Sequence, residues 1–284
     1  MAKEKAASIM SKKERIDVLL VEKGFFPSRE KARTAIMAGL VLVNEERCDK
    51  PGTKVEETSH IRVKGELHPY VSRGGLKLEK AIQVFDLSLE QAVVLDIGSS
   101  TGGFTDCALQ NGAKQVYAID VGYGQLDWKL RSDPRVIVME RTNFRHLTPQ
   151  ELKGEQPNFS TIDVSFISLR IILPVLAGFL SPGGQVVALV KPQFEAGKER
   201  VGKNGIVRDP KVHEQVLNDM ISYVSDLSYL VKGLDFSPIT GGEGNIEFLL
   251  HLERVEEPVF SPFGIQEVAA IVNKAHQEFR LERD

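Results

Sequence analysis

The sequence predicts an α/β protein, with a mostly parallel, doubly wound sheet preceded by a small N-terminal α+β unit. Three observations lead there. From about residue 92 onward, short apolar runs alternate with amphipathic segments, the pattern of strands joined through crossover helices. The first of those runs, AVVLDI over 92–97, breaks directly into a glycine turn, GSSTGG. The charge is also uneven. Residues 1–64 hold 14 Lys/Arg against 10 Asp/Glu, a balance of +4, whereas residues 65–284 hold 22 against 29, a balance of −7. A basic head on an acidic body suggests a module that delivers a polyanion to the larger domain.

Composition excludes several classes. At 284 residues, 42% hydrophobic and 26% charged, the chain can bury one large core and a small one. The longest apolar stretch, Ile171 to Leu180, is too short for a membrane span and contains Pro174. The opening residues, MAKEKAASIMSKKER, are basic without an apolar segment, so no secretory signal is expected. Two cysteines, Cys48 and Cys107, do not make a disulfide framework, and neither they nor the six histidines fall in a metal-ligand spacing. A cytoplasmic protein without a metal is expected.

In ERIDVLLVEKGFF, Ile16, Leu19 and Leu20 recur with a helical period that stops at Gly24. Ser28 then caps a second helix, SREKARTAIMAGL, with Ala32, Ile36 and Met37 expected on its inner side and Gly39 at its end. Arg29, Lys31 and Arg33 crowd its first two turns, although the helix dipole favours cations at the other end. Contact with phosphates would account for them. LVLVNEERCDKPGTKVEETSHIRVKG reads as short strands with a turn at Lys50-Pro51-Gly52. Together, Arg15, Asp17, Leu19, Leu20, Gly24, Ser28, Arg29, Gly39 and the LVLVN segment resemble the alpha-L RNA-binding motif of the fourth small-subunit ribosomal protein, the S4 domain. That resemblance implies binding of structured RNA through the paired helices, by phosphate and shape, with Arg15, Ser28, Arg29, Lys31 and Arg33 as contact residues.

ELHPYVSRGG follows, with His68-Pro69 as a boundary and Gly74-Gly75 as a source of flexibility. The expected organisation is a flexible basic tail (1–13), an S4-like unit (14–65), a linker (66–75) and the sheet domain (76–284).

In the sheet domain, LKLEKAIQVF reads as a helix leading into the glycine strand. The turn is neither G-x-x-x-x-G-K-[ST], since no Lys follows the second glycine pair, nor G-x-G-x-x-G, since position 100 is Ser. What remains is D-x-G-x-x-x-G-G, with an acidic residue, Asp120, ending the next strand. A carboxylate there can accept hydrogen bonds from both ribose hydroxyls. An adenosine without a pyrophosphate needs that carboxylate and a close backbone, which fits S-adenosylmethionine. The structural alternative is a turn that only packs helix on strand. The expected cofactor set is Asp96, Gly98, Ser99, Ser100, Thr101, Gly102, Gly103 and Phe104, with Asp120, Asn143 and Asp163 at the following strand ends.

Strands are expected at 115–121, 136–141, 159–166 and 184–190, helices at 167–180 and 211–225, and an antiparallel pair near 231–239 and 246–252. A C-terminal amphipathic helix from 265 to 280 could pack on the sheet or on a partner. In a doubly wound sheet, chemistry gathers at the carboxyl ends of the strands. Two of those ends carry Asp163 and Lys191, charged residues leaving apolar runs. With Lys77 in RGGLKL and Glu247 in GNIEFLL they resemble the Lys-Asp-Lys-Glu tetrad of FtsJ-like RNA 2'-O-methyltransferases. Lys80 and Glu243 are the neighbouring alternatives. Residues 14 to 255 as a whole resemble the TlyA family of ribosomal RNA ribose methyltransferases, often labelled hemolysins. The resemblance implies a Rossmann-like class I methyltransferase fold with seven strands, S-adenosylmethionine as cofactor, and cytidine ribose in ribosomal RNA or ribosomal subunits as acceptor.

The chemistry asks for such a set, because a 2'-hydroxyl is a poor nucleophile that must lose a proton while held near the methyl carbon. Lys191 is the candidate for that role, as base or as a cation stabilising the alkoxide, with Asp163 orienting it and Glu247 positioning Lys77 or the sugar. The glycine-rich, basic segment QFEAGKERVGKNGIVRD, between Lys191 and Pro210, is expected to be a lid whose Lys198, Arg200, Lys203 and Arg208 meet phosphates. Three rivals stand against this reading. A pore-forming protein lacks any stretch of membrane character, a pseudouridine synthase would leave the glycine turn idle, and a non-catalytic RNA binder would leave the tetrad idle.

Overall fold

The structure, a computed structural model, describes residues 12–37, 39–63, 68–260 and 263–281. The chain divides into two compact units, Met1–Leu67 and His68–Asp284.

The first unit runs β1 (Lys13–Arg15), α1 (Ile16–Glu22), α2 (Arg29–Met37), β2 (Val41–Val43), β3 (Glu46–Cys48), β4 (Lys54–Glu56) and β5 (Ile61–Val63). β1 pairs with β4, and β2 lies between β3 and β5, all antiparallel. Ile16, Leu20, Ala32, Ala35, Ile36 and Val41 form its core. Met37, expected inside, is 59% exposed. The buried stripe of α2 is 32, 35 and 36, and one further residue swings about 100° off it. Of the expected basic tail, residues 1–11 lie outside the described residues, but Lys13 already opens β1 opposite Glu56. Residues 64–67 of the expected linker also lie outside.

The expected contact cations of this unit fall into two groups, those paired with Asp17 and those exposed without that partner. The carboxylate of Asp17, fully buried, accepts from Arg15 Nε at 2.9 Å and from Arg29 Nη2 at 2.8 Å. Ser28 Oγ accepts from the Lys31 amide at 3.3 Å, as a cap. Arg29 therefore has a structural reason to stand at the helix start, whereas Lys31 and Arg33 are simply exposed.

The second unit runs α3 (Gly75–Val84), β6 (Val93–Ile97), α4 (Gly103–Gln110), β7 (Gln115–Ile119), α5 (Trp128–Arg131), β8 (Val136–Met139), β9 (Phe159–Ile162), α6 (Leu169–Leu176), β10 (Gln185–Val190), α7 (Pro192–Glu195), α8 (Pro210–Asp226), β11 (Tyr229–Phe236), β12 (Phe248–Arg254) and α9 (Ile265–Leu281). Among the described residues seven strands form one sheet in the order β11-β12-β10-β9-β6-β7-β8. Every neighbouring pair from β10 to β8 is parallel, and β12 runs antiparallel to both β10 and β11. The reversed last strand is thus inserted between two others instead of closing an edge. Alternation along β6 sends Leu95 and Ile97 to one core, with α6, α8 and α9, and Val94 to the other, with α3 and α4. α9 buries Val268, Val272, Ala275 and Phe279, a helical stripe, against the sheet side.

Two differences from expectation matter for the site. β9 stops at Ile162 instead of continuing to 166, because the chain leaves the sheet there and passes through a left-handed Phe166 (φ 64°). The stretch Ser72–Gly75 is not a flexible join: Gly75 is buried against the Tyr70 ring, and its amide donates to Ser72 O at 3.1 Å.

The flanking arginines hold the Asp17 carboxyl down at about 2, below its unfolded value near 4. A depressed folded pKa contributes stability above about pH 4 that is lost as pH falls through about 2. Asp17→Asn is expected to lower the stability of the first unit by about 1–2 kcal/mol at neutral pH, the half-exposed arginines being screened by solvent. Calorimetric scans of both proteins should converge below about pH 2, and equal stability at pH 7 would refute the pairing's role.

Candidate active site

The carboxyl ends of β6, β7 and β9 lie level, and β10 runs two residues further. Ile97 pairs with Ile119 of β7 and with Ile162 of β9, and Ile162 pairs with Ala188 of β10. Gly98, Asp120, Asp163 and Lys191 are each the first residue past β6, β7, β9 and β10. The inverted β12 brings in a fourth charge, since its first residue, Phe248, pairs with Val190. Glu247, just ahead of β12 and not inside it as expected, therefore sits beside Lys191.

Lys77 arrives on the first turn of α3. That helix approaches α4 closely, because a Cβ on Gly103 would lie 2.8 Å from the Gly75 amide nitrogen. Lys77 Nζ lies 2.7 Å from Glu247 Oε2 and 3.1 Å from Asp163 Oδ2, while Lys191 Nζ lies 2.6 Å from Asp163 Oδ1 and 3.1 Å from Ser165 Oγ. The four expected residues thus form one chain of alternating charge, Glu247–Lys77–Asp163–Lys191. Burial opposes the ionised form of Asp163, but the two ammoniums outweigh it and hold its carboxyl below the usual range. Burial likewise opposes a charged Lys77, and its two carboxylates outweigh that and raise it. Lys80, the alternative, donates instead to Phe236 O at 2.6 Å, and Glu243 is exposed.

The glycine turn is tied to this chain. Gly98 has φ 86°, and a Cβ there would stand 2.6 Å from the Asp163 carbonyl oxygen. Its amide and that of Ser99 both donate to Ile119 O, at 2.9 and 3.1 Å. Asp120 holds the far side of the turn, its two oxygens accepting from the Ser100 amide at 2.8 Å and the Gly122 amide at 2.7 Å.

Two cavities open here. The larger, about 1060 Å³, is lined by Gly98, Ser100, Asp120, Val121, Asn143, Phe144 and Asp163 among others. The smaller, about 550 Å³, is lined by all four members of the charge chain and by Ser99, Thr101, Gly103 and Phe104. They share a wall that includes Gly98, Asp163, Ser165, Gln193 and Gly205. Of the expected cofactor set, Asp96 and Gly102 line neither. Asp96 is fully buried, with Oδ2 accepting from the Thr105 hydroxyl at 2.6 Å and Oδ1 from the Thr161 hydroxyl at 2.9 Å, and burial pushes its pKa up to about 6. Gly102 (φ 96°) lies under the side chains of Leu126 and Leu130. Asn143 lines the larger cavity while its Oδ1 caps the following turn through the Arg145 amide at 3.2 Å.

The segment after Lys191 is not a bare loop: α7 is followed by single turns at Lys198–Arg200 and Lys203–Gly205. Lys198 lines the larger cavity, Arg200, Lys203 and Arg208 line neither, and all four are exposed. Its far end is held by Asn245, 2% exposed, which accepts from the Val207 amide at 3.0 Å and donates to Gly205 O at 2.9 Å. Sequence reasoning missed Asn245 and Ser165. A polar residue two positions before Glu247, and the Ser two after Asp163, were the available signals. Among the described residues no group of His, Cys, Asp and Glu could hold a metal ion, and no helix is long and apolar enough to cross a membrane.

The profile of the FtsJ-like methyltransferase family matches residues 70–254, and that of the S4 domain matches residues 14–61. A candidate rRNA methyltransferase, YqxC, of Bacillus subtilis is 61% identical over 96% of this chain and 98% of its own. The 16S/23S rRNA (cytidine-2'-O)-methyltransferase TlyA of Mycobacterium tuberculosis is 40% identical over 91% of this chain and 96% of its own. A solved structure of a candidate hemolysin from Streptococcus thermophilus superposes with a TM-score of 0.77 at 55% identity, covering 95% of this chain and 98% of that one.

Gly98→Ala should lower thermal stability by about 1–3 kcal/mol, through the left-handed φ and the clash with Asp163. Gly124→Ala, also left-handed (φ 70°) but with nothing within 4 Å of the new Cβ, should cost about 1 kcal/mol or less. Equal losses in the two variants would remove the close approach as a cause.

Proposed function

Because this chain belongs to the TlyA family of S4-bearing, FtsJ-like methyltransferases, we propose that it transfers a methyl group from S-adenosylmethionine to the 2'-hydroxyl of a cytidine ribose in ribosomal RNA. The observation that carries the reading is the shared wall: a cavity suited to the donor meets a second one holding the charge chain, and Asp163 belongs to both. In this reading residues 14–65 bind RNA, with Lys31 and Arg33 freer to do so than the paired Arg15 and Arg29, and residues 76–284 carry the chemistry in the cytoplasm.

The larger cavity fits the donor. Each oxygen of Asp120 accepts one backbone hydrogen bond and keeps a lone pair for a ribose hydroxyl. The bare Cα of Gly98 lets the ligand approach the backbone, and Phe144 and Val121 offer apolar surface for a purine beside the Asn143 amide. The donor supplies an electrophilic methyl on a sulfonium cation.

The chain's own groups divide the remaining work. Lys77, between two carboxylates, stays a cation. Asp163, with an ammonium on each oxygen, is held below the usual carboxylate range and stays an anion. Glu247 is taken up by Lys77. Lys191 shares its one carboxylate partner with Lys77, and in the proposed step it takes the hydroxyl proton, having passed one of its own to solvent. Asp163 orients Lys191, Ser165 steadies it, and Glu247 keeps Lys77 in place. The 192–209 segment excludes water over both cavities when ligands are present.

Lys191→Ala should bind S-adenosylmethionine normally by calorimetry and lose about 10²–10⁴ in single-turnover methyl transfer to ribosomal subunits. Lys191→Arg keeps the charge but cannot release its proton at working pH, so it should be as inactive as the alanine variant. Near-wild-type transfer by the arginine variant would overturn the base role. Trypsin should cut at Lys198, Arg200, Lys203 and Arg208 in the free protein and more slowly with RNA and cofactor together. Unchanged cleavage would remove the lid.

A further inference from the structure

The smaller cavity has a charge it does not need for itself. Lys77 and Lys191 are neutralised by Asp163 and Glu247 within the charge chain, and the exposed Glu243 adds a negative charge to the lining. Among the described residues, Arg73 is the one remaining cation on that wall, exposed and without a carboxylate partner. An RNA strand carrying a ribose hydroxyl to Lys191 also carries a phosphodiester on each side of that ribose. The self-neutralised chain and Glu243 offer those phosphates nothing.

The backbone under Arg73 is pinned while its side chain is free. The Val71 amide donates to Asp106 Oδ2 at 2.9 Å, and Asp106, 2% exposed, is itself held by Lys129 and Gln110, each at 3.1 Å. Ser72, Arg73 and Gly74 carbonyls accept from the Gly75, Leu76 and Lys77 amides at 3.1, 3.1 and 3.0 Å. Arg73 is therefore part of the turn that starts the helix bearing Lys77. A group bound by it is referenced to the reacting centre through four residues of hydrogen-bonded backbone.

We propose that Arg73 grips a phosphodiester flanking the target ribose and so positions its 2'-hydroxyl. The planar fork of a guanidinium matches two phosphate oxygens, and a fixed turn lets that grip set the position of the sugar. The inference rests on the reading that RNA is the methyl acceptor.

Initial rates of methyl transfer to ribosomal subunits, measured over a range of salt for the wild type, Arg73→Gln and Arg73→Lys, test it beside cofactor affinity from calorimetry. Arg73→Gln should raise the KM for the subunit about tenfold and leave the cofactor Kd unchanged. It should also flatten the dependence of log kcat/KM on log salt by about 0.7–0.9, the share of one phosphate contact. Arg73→Lys should restore the salt slope and part of the KM, and it carries the test if the glutamine variant fails to fold by thermal melting. An unchanged salt slope, or a loss seen only in cofactor affinity, would overturn the role of Arg73. A wild type that binds S-adenosylmethionine but methylates no ribosomal RNA would instead overturn the reading beneath it.

Discussion

The sharing of Asp163 between two lysines is the interaction on which the rest depends. Burying a charge costs several kcal/mol unless partners replace its water, and a lone buried carboxylate or ammonium at a strand end would neutralise or disrupt its surroundings. Here each interior member of the chain, Lys77 and Asp163, has two partners of opposite sign. The arrangement tolerates little error, since it draws one residue from a helix and three from the ends of three strands. The bare Cα of Gly98 against the Asp163 carbonyl, and that of Gly103 against the start of α3, are the clearances that let those pieces come close enough.

Much of this was legible in the sequence because strand ends in a parallel sheet are written plainly, as a charged residue after an apolar run. Asp120, Asp163 and Lys191 each follow such a run, and the structure brings each one to the same edge. Asp96 lines neither cavity for a physical reason. It belongs to the same D-x-G pattern, but it stands inside β6 on the same face as Val94, and its partners Thr105 and Thr161 lie 9 and 65 residues away. No local pattern reveals that two hydroxyls will take both oxygens. The partnering of Arg15 and Arg29 with Asp17 was hidden in the same way, since a motif records which residues occur and not which ones pair.

The inserted strand was harder to foresee. A short connection after β11 makes an antiparallel neighbour expected, but nothing local says that β12 enters between β10 and β11. That placement lets Glu247 stand next to Lys191, and lets Asn245, two residues earlier, hold the segment running from Lys191.

The position of β12 also sets an order of events during synthesis. Until residues 245–254 have left the ribosome, β10 presents an open hydrogen-bonding edge, Lys77 has one carboxylate instead of two, and the far end of the 192–209 segment has no anchor. The nascent chain can fold its first unit before its reacting centre exists.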